Sequence, residues 1–197
     1  MPPVPLAPFA ESLRTETAFD VLAVAKTLKA AGKDVIELQI GDSPFPSSSA
    51  AVAAGKAAID AGRTQYGPSL GLPEFRQAAA DQVRREFGIP ATADNVVAAP
   101  GAKPFEQFFC ELFLEPGDEV LVWEPAFPTY LPNVQRRGAN MVTAPLRQAN
   151  GFRPDPDDVK RFLDTSPRPK AVFLNSPHTP TGGVATETAL TSGSASS

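Results

Sequence analysis

Three short stretches of the sequence combine polar or aromatic side chains with glycine and proline directly after an apolar run. They are VVAAPGAKPFEQ, WEPAFPTY and KAVFLNSPHTPTGG. Such an ending is typical of a strand that delivers a ligand-binding loop, and open parallel sheets bind their ligands at the carboxyl ends of strands. We therefore expect a binding site where these stretches meet.

The first stretch predicts a turn that binds an anion. The chain passes through Gly101 into a helix with Pro104 in its first turn, which leaves main-chain N–H groups around Gly101, Ala102 and Lys103 without helical partners. Unpaired N–H groups at the positive end of a helix favour a phosphate. Because every strand-to-helix unit has such a turn, a purely structural role stays the alternative. Neither the dinucleotide-binding glycine motif nor the P-loop motif occurs in the sequence.

The other two stretches offer a ring surface and short polar groups. Phe127 and Tyr130 follow a strand, and flat rings in that position can stack on a planar ligand, although packing into the core is the alternative. Asn175, His178 and Thr179 supply polar groups next to two glycines, although a plain turn would look the same. We interpret His178 as a loop residue.

The elements that must position these residues alternate along the chain between helix and strand patterns. The predicted helices lie in FDVLAVAKTLKAAG, AVAAGKAAIDAG, GLPEFRQAAADQVRREFGIP, PFEQFFCELFL, FPTYLPNVQRRG (broken near Pro132) and PDDVKRFLDT. The predicted strands lie in KDVIELQIG, NVVAA, PGDEVLVWEP, ANMVTAP and KAVFLNSP. Short apolar strands separated by helices indicate an α/β fold in three layers, α/β/α, with a mainly parallel sheet.

Composition excludes several classes of partner and site. The formal charge of −4 comes from 18 basic and 22 acidic residues without long blocks of one sign, so neither a nucleic acid nor a membrane surface is expected as partner. The single cysteine, Cys110, is interpreted as a buried small hydrophobe. With His178 as the only histidine, we expect no metal site. The charge pattern instead favours a small-molecule partner. No targeting or membrane-spanning segment is recognised, so we expect a cytoplasmic protein.

Taken together, these stretches resemble the class I/II aminotransferases, the fold-type I, aspartate aminotransferase-like enzymes that depend on pyridoxal 5'-phosphate (PLP). IGDSPFP is similar to the G-x-P loop of that family, QYGPSLGLPEFRQA to its Y-x-x-x-x-G-x-x-x-[LF]-R block, and NSPHTPTGG to N-x-P-x-N-P-T-G. The match runs in the family's order from about Val35 to Val184. It implies an N-terminal arm and helix at 1–33 and a partial PLP-binding large domain at 34–184.

The resemblance also implies which residues hold the cofactor. Main-chain groups of Gly101, Ala102 and Lys103 would bind its phosphate, and Phe127 would stack on its pyridine ring. Asn175 and Thr179 would complete the cofactor-binding set. In the family pattern the position of Thr179 is an asparagine that bonds the ring hydroxyl, so this bond would be lost or replaced here.

Two further residues match positions that the family uses outside this set. Tyr66 matches a tyrosine that reaches the phosphate of the neighbouring subunit, which implies a homodimer. Gly41 matches a backbone contact to the substrate carboxylate.

The resemblance implies that some essential residues lie beyond Gly183 and are missing from this chain. They are the lysine that forms the Schiff base with PLP and the aspartate that pairs with the pyridine nitrogen. The C-terminal small domain of the family is expected to be absent as well. We therefore expect an aminotransferase, acting between an amino acid and a 2-oxo acid, that is truncated and inactive alone, so that no catalytic residue is assigned. The alternative is a non-catalytic module for phosphate-ligand binding or dimerisation. Residues 185–197 are expected to be disordered or an aberrant tail.

Overall fold

A computed structural model describes residues 4–12 and 17–192 of the chain. Its helices are α1 (Pro8–Ser12), α2 (Thr17–Ala30), α3 (Ser49–Asp60), α4 (Pro73–Phe87), α5 (Lys103–Phe113), α6 (Tyr130–Arg136), α7 (Pro156–Thr165) and α8 (Glu187–Ser192). Its strands are β1 (Glu119–Glu124), β2 (Asn140–Pro145) and β3 (Pro169–Phe173). Within these residues, no helix combines the length and the apolar character needed to cross a membrane.

The three strands form one parallel sheet in the order β2-β1-β3. In the central strand β1, alternate side chains pack on opposite faces, as the two-residue period of a strand requires. Val120 and Val122 pack with Cys110 of α5 on one face, whereas Leu121 and Trp123 pack in a second cluster on the other. The first cluster also contains Val134 of α6 and the second Phe162 of α7. The predicted α/β fold with a parallel sheet covered on both faces is confirmed.

Several helix ends lie where the sequence predicts them. Helix α4 begins at Pro73, where a missing N–H is harmless, and ends before Gly88, which has a φ of +68°. That left-handed conformation suits glycine and lets its N–H cap the carbonyl of Arg84. The expected break near Pro132 is absent, because this proline lies in the first turn of α6, where its nitrogen needs no hydrogen.

Two predicted strands are wrong. The segment KDVIELQIG has no regular structure, and Ile36 and Leu38 are 83% and 88% exposed. NVVAA begins in a short 3-10 turn (Ala93–Asn95) and continues without a ladder, although Ala98 donates one hydrogen bond to the carbonyl of Leu70. An apolar run predicts extended backbone, but a strand also needs a neighbour, and none of the described residues pairs with these segments.

The described residues form two compact units. One contains Ala18–Ala102, and the other contains Lys103 onward together with the described residues up to Thr17. The predicted boundary after residue 33 stays a prediction. Within the segment 185–197, where we expect disorder, Glu187–Ser192 is helical, and residues 193–197 lie outside the described part.

Cys110 is 1% exposed on the sheet-facing side of α5, which confirms that it is a buried small hydrophobe. Its burial, with smaller contributions from Glu106 and Glu111, raises the pKa of the thiol to about 11. The thiol is therefore uncharged at neutral pH, as expected for a cysteine that packs as an apolar side chain.

Candidate functional site

The loop after β1 places a row of contacting aromatic rings beside the end of the strand. Phe127 is half-buried, and its ring centroid lies 5.8 Å from that of Tyr130. Tyr130 in turn lies 5.2 Å from Phe173 at the end of β3, in an edge-to-face contact. These contacts tie Phe127 to the core, so its ring is held at the carboxyl end of the sheet.

Lys103, the first residue of α5, lies next to that ring. Its Nζ is 5.4 Å from the centroid of Phe127, within the range of a cation–π interaction. A second link joins the same two segments, because the hydroxyl of Thr129 donates to the carboxylate of Glu106. A groove of about 460 Å³ adjoins this corner, lined by Lys103, Pro104, Gln107, Phe108, Thr129, Pro132 and Asn133.

The end of β3 shows which side chains lie on each face of the sheet just before Asn175. Phe173 pairs with Val122 of β1 and contacts the rings on the α5 face. Val172 and Leu174 line a cavity of about 250 Å³ on the opposite, α7 face. β3 ends at Phe173, and Asn175 follows two residues later, half-buried and outside the strand. The structure brings Lys103 and Phe127 together, and the role of Asn175 stays a prediction.

The loop that follows Asn175 folds back on itself around His178. The main-chain N–H of His178 donates to the carbonyl of Gly183 (2.8 Å), and its own carbonyl accepts from Gly182 (2.7 Å). Its Nδ1 lies 3.0 Å from Oγ1 of Thr181. His178 is only 6% exposed, whereas its neighbour Thr179 is exposed.

The far end of this loop packs tightly against another turn. A Cβ atom added to Gly183 would lie 2.9 Å from the carbonyl carbon of Phe152 and 3.0 Å from the carbonyl oxygen of Gly151. Only glycine fits there without a shift of the main chain. The two glycines of the sequence motif therefore differ in the space around them, since a Cβ on Gly182 would meet nothing within 4 Å.

The predicted phosphate turn differs in one detail from the sequence expectation. Gly101 has a φ of +84°, and its N–H donates to the carbonyl of Ala99 at 2.9 Å. That amide is therefore engaged in a tight turn, and the prediction that it is free is wrong for this structure. Ala102 directly precedes α5, and Lys103 begins it.

The remaining predicted site residues lie in the unit Ala18–Ala102. The Tyr66 side chain is fully exposed in a loop. Gly41 is also exposed, and a Cβ there would meet no atom within 4 Å. Their roles stay predictions.

Sequence reasoning missed the two side chains that hold the loops in shape. His178 is interpreted from sequence as a loop residue, yet it is the buried centre of its loop. The local pattern does not single out Thr181, yet its hydroxyl contacts His178 and accepts from the N–H of Gly183. A histidine between two prolines, followed by threonine and two glycines, was the one available indication.

Comparison with known proteins gives a consistent result. The family model for aminotransferase class I and II matches residues 33–192. A probable aspartate/prephenate aminotransferase of Thermus aquaticus is 35% identical over 180 residues, which cover 91% of this chain and 46% of that protein.

Two solved structures share the fold. The aspartate aminotransferase from Thermus thermophilus, solved with maleate, superposes with a TM-score of 0.89 at 31% identity, over 98% of this chain and 50% of that one. The alanine aminotransferase from Pyrococcus furiosus has a TM-score of 0.87 at 30% identity, over 95% and 48% of the two chains. The chain thus spans about half the length of the relatives it matches. It belongs to the class I and II aminotransferase family.

Proposed function

We propose that this chain forms the PLP-binding part of an aminotransferase that exchanges an amino group between an amino acid and a 2-oxo acid. The observation that carries the proposal is the contact of Lys103 Nζ with the Phe127 ring, 5.4 Å from its centroid, in the segments that begin α5 and follow β1. Asn175, two residues after β3, is proposed to join them. A cation, a ring face and an amide are the groups that a phosphorylated aromatic ligand requires. Because the relatives include aspartate and alanine enzymes, the proposal extends only to the class of substrate.

The residues at this corner fit PLP chemically. Lys103 and the first N–H groups of α5 would attract the phosphate. The Phe127 ring, held in place by its edge-to-face contact with Tyr130, would stack on the pyridine ring. Asn175 and the exposed hydroxyl of Thr179 would bond polar atoms of the ring, and Thr179 would replace the asparagine of the family pattern with a shorter donor.

When bound, PLP supplies the aldehyde that takes up the amino group and the ring that withdraws electrons. The lysine and aspartate that the family resemblance requires for this chemistry match no residue of the chain. Lys103 lies at the phosphate end and would hold charge there. The chain by itself should therefore bind PLP without turnover. As the resemblance implies, we propose a cytoplasmic homodimer in which Tyr66 reaches the site of the other subunit.

Titration of the purified chain with PLP, followed by absorbance and by quenching of protein fluorescence, tests the binding. Loss of ring stacking in Phe127→Ala removes about 0.5–1.5 kcal/mol, so the Kd should rise roughly two- to tenfold. Phe87→Ala is the matched control, because that ring is 68% exposed at the end of α4. Equal affinity in the two variants would contradict the proposed stacking.

A transamination assay tests the second half of the proposal. The chain with PLP and an amino donor should produce no more 2-oxo acid than free PLP does. Turnover well above that level would show that the chain contains its own catalytic lysine. Binding of inorganic phosphate but not of PLP would favour the simpler phosphate-binding module.

A further inference from the structure

His178 is the one side chain of the loop 176–182 that is buried. Its neighbours Pro177 and Thr179 are exposed, although the loop leaves the sheet at its ligand-binding edge. A polar ring is not buried for hydrophobic reasons alone, since burial without a hydrogen bond is unfavourable. The hydrogen bonds around His178 therefore need an explanation.

The hydrogen bonds around His178 connect the whole loop. Its N–H and carbonyl bond to Gly183 and Gly182, and its Nδ1 contacts the Thr181 hydroxyl. That hydroxyl also accepts from the N–H of Gly183 (3.3 Å), the residue that packs on the Phe152 turn. At the open end, the hydroxyl of Ser176 accepts from the N–H of Ala185 at 3.0 Å. Hydrogen bonds therefore link the start of this loop to its end, and the buried imidazole of His178 lies inside it.

The conformation of the loop at His178 also determines the position of the next residue, Thr179. Thr179 stands where the family pattern has asparagine, and its hydroxyl reaches less far than an amide. A shorter side chain tolerates less displacement of its main chain before a hydrogen bond is lost. The orientation of Thr179 therefore depends on how firmly the adjacent peptide is held.

We propose that His178 is a positioning residue, whose buried imidazole, bonded to Thr181, fixes the loop so that Asn175 and Thr179 face the cofactor ring. This inference rests on the proposed function. Burial also lowers the pKa of His178, which favours the uncharged form of the ring in this position.

Three substitutions test the proposal. His178→Ala removes the support, His178→Asn retains a hydrogen-bonding group near the place of Nδ1, and Thr181→Val removes the partner hydroxyl. Thr165→Val is the matched control, because its hydroxyl is also hydrogen-bonded, to the carbonyl of Arg161, but lies in α7 outside the loop. Each protein is titrated with PLP and unfolded in urea, and its loop amides are followed by NMR.

Loss of one hydrogen bond should raise the Kd for PLP about five- to tenfold in His178→Ala and in Thr181→Val. His178→Asn should recover most of the affinity, and Thr165→Val should bind like the unmodified chain. Because the chain has one histidine, its C2–H resonance is unambiguous, and it should shift in Thr181→Val. Loop amides from 175 to 183 should broaden or move in His178→Ala.

Unchanged PLP affinity and unchanged loop amides in His178→Ala and Thr181→Val would overturn the proposal. Equal loss of affinity in His178→Asn and His178→Ala would also overturn it, because the support would then not be a hydrogen bond. If the unmodified chain binds no PLP while the loop amides still respond, the proposed function is wrong and the support by His178 is retained. Should His178→Ala fail to fold, Thr181→Val and His178→Asn decide the question.

Discussion

The Nζ atom of Lys103 lies 5.4 Å from the ring centroid of Phe127, so the start of α5 and the loop after β1 meet through a cation and a ring. At an exposed site such a contact contributes about 0.5–1 kcal/mol. Its value for function is geometric, because it fixes a positive charge beside an aromatic face. That pair of features suits a ligand that is both planar and anionic.

Replacing Lys103 by methionine should weaken PLP binding while the stem of the side chain is kept. For an exposed ion pair of up to about 1 kcal/mol, the Kd should rise roughly two- to fivefold at low salt, and the difference should shrink as salt is added. Lys103→Arg should retain affinity, and Lys160→Met in α7 is the control. A PLP affinity independent of residue 103 would remove Lys103 from the site.

Gly183→Ala should destabilise the chain, because a Cβ there would overlap the main chain of Phe152 and Gly151. Overpacking of this kind costs about 1–3 kcal/mol, measured as a lower midpoint of urea unfolding. Gly55→Ala is the contrasting variant, since that position in α3 is open and alanine favours a helix. If both variants unfold at the same urea concentration, the close approach at Gly183 does not exist in solution.

Asp118 should make stability depend on acidic pH. Its carboxylate is 4% exposed and accepts from the N–H of Glu115 (2.9 Å) and from Nη2 of Arg168 (2.8 Å). The Glu115 bond first, and then Arg168, lower the pKa of Asp118. A lowered pKa gives stability that is present above the unfolded pKa, about 3.9, and is lost as pH falls through the folded pKa.

The free energy of unfolding of Asp118→Asn should therefore fall less steeply than that of the unmodified chain between about pH 5 and 3. Asp94→Asn is the control, because the Asp94 side chain is 96% exposed. Parallel pH profiles for Asp118→Asn and the unmodified chain would contradict the assigned role of the Asp118 carboxylate.

The hydrogen bond between Trp123 and Asp158, on the α7 face of the sheet, should contribute to the stability of the chain. The carboxylate of Asp158 accepts from Nε1 of Trp123 (3.2 Å) and from Arg161 (2.8 Å), and it is 3% exposed. Asp158→Ala leaves the indole N–H buried without a partner, which costs about 1–3 kcal/mol. Asp158→Asn keeps an acceptor and should lose less stability.

Fluorescence gives the second readout, because Trp123 is the only tryptophan of the chain. Its emission should change in Asp158→Ala and stay nearly constant in Asp157→Asn, which alters an exposed neighbour in the first turn of α7. A spectrum that is unaffected by Asp158→Ala would argue against the bond.

Much of the candidate site could be predicted from local sequence. The apolar run of β1, the turn at Gly101 and the loop from Asn175 to Gly183 each have a pattern that needs only near neighbours. The turn residues and the strand-to-loop transitions follow from main-chain preferences, which a short segment determines by itself. The family motifs then assign cofactor-binding roles to positions that local chemistry already singles out.

Local sequence determined that α5 is a helix, because its phenylalanines recur with a helical period. Only the tertiary structure decided which side of α5 is buried: Cys110, and Leu114 directly after the helix, pack with the sheet, whereas Phe108 and Leu112 are 46% and 75% exposed. The same holds for the burial of His178 and for the two apolar segments that do not become strands. A period fixes the geometry of an element, but burial and strand pairing depend on partners far along the chain, which a local pattern does not contain.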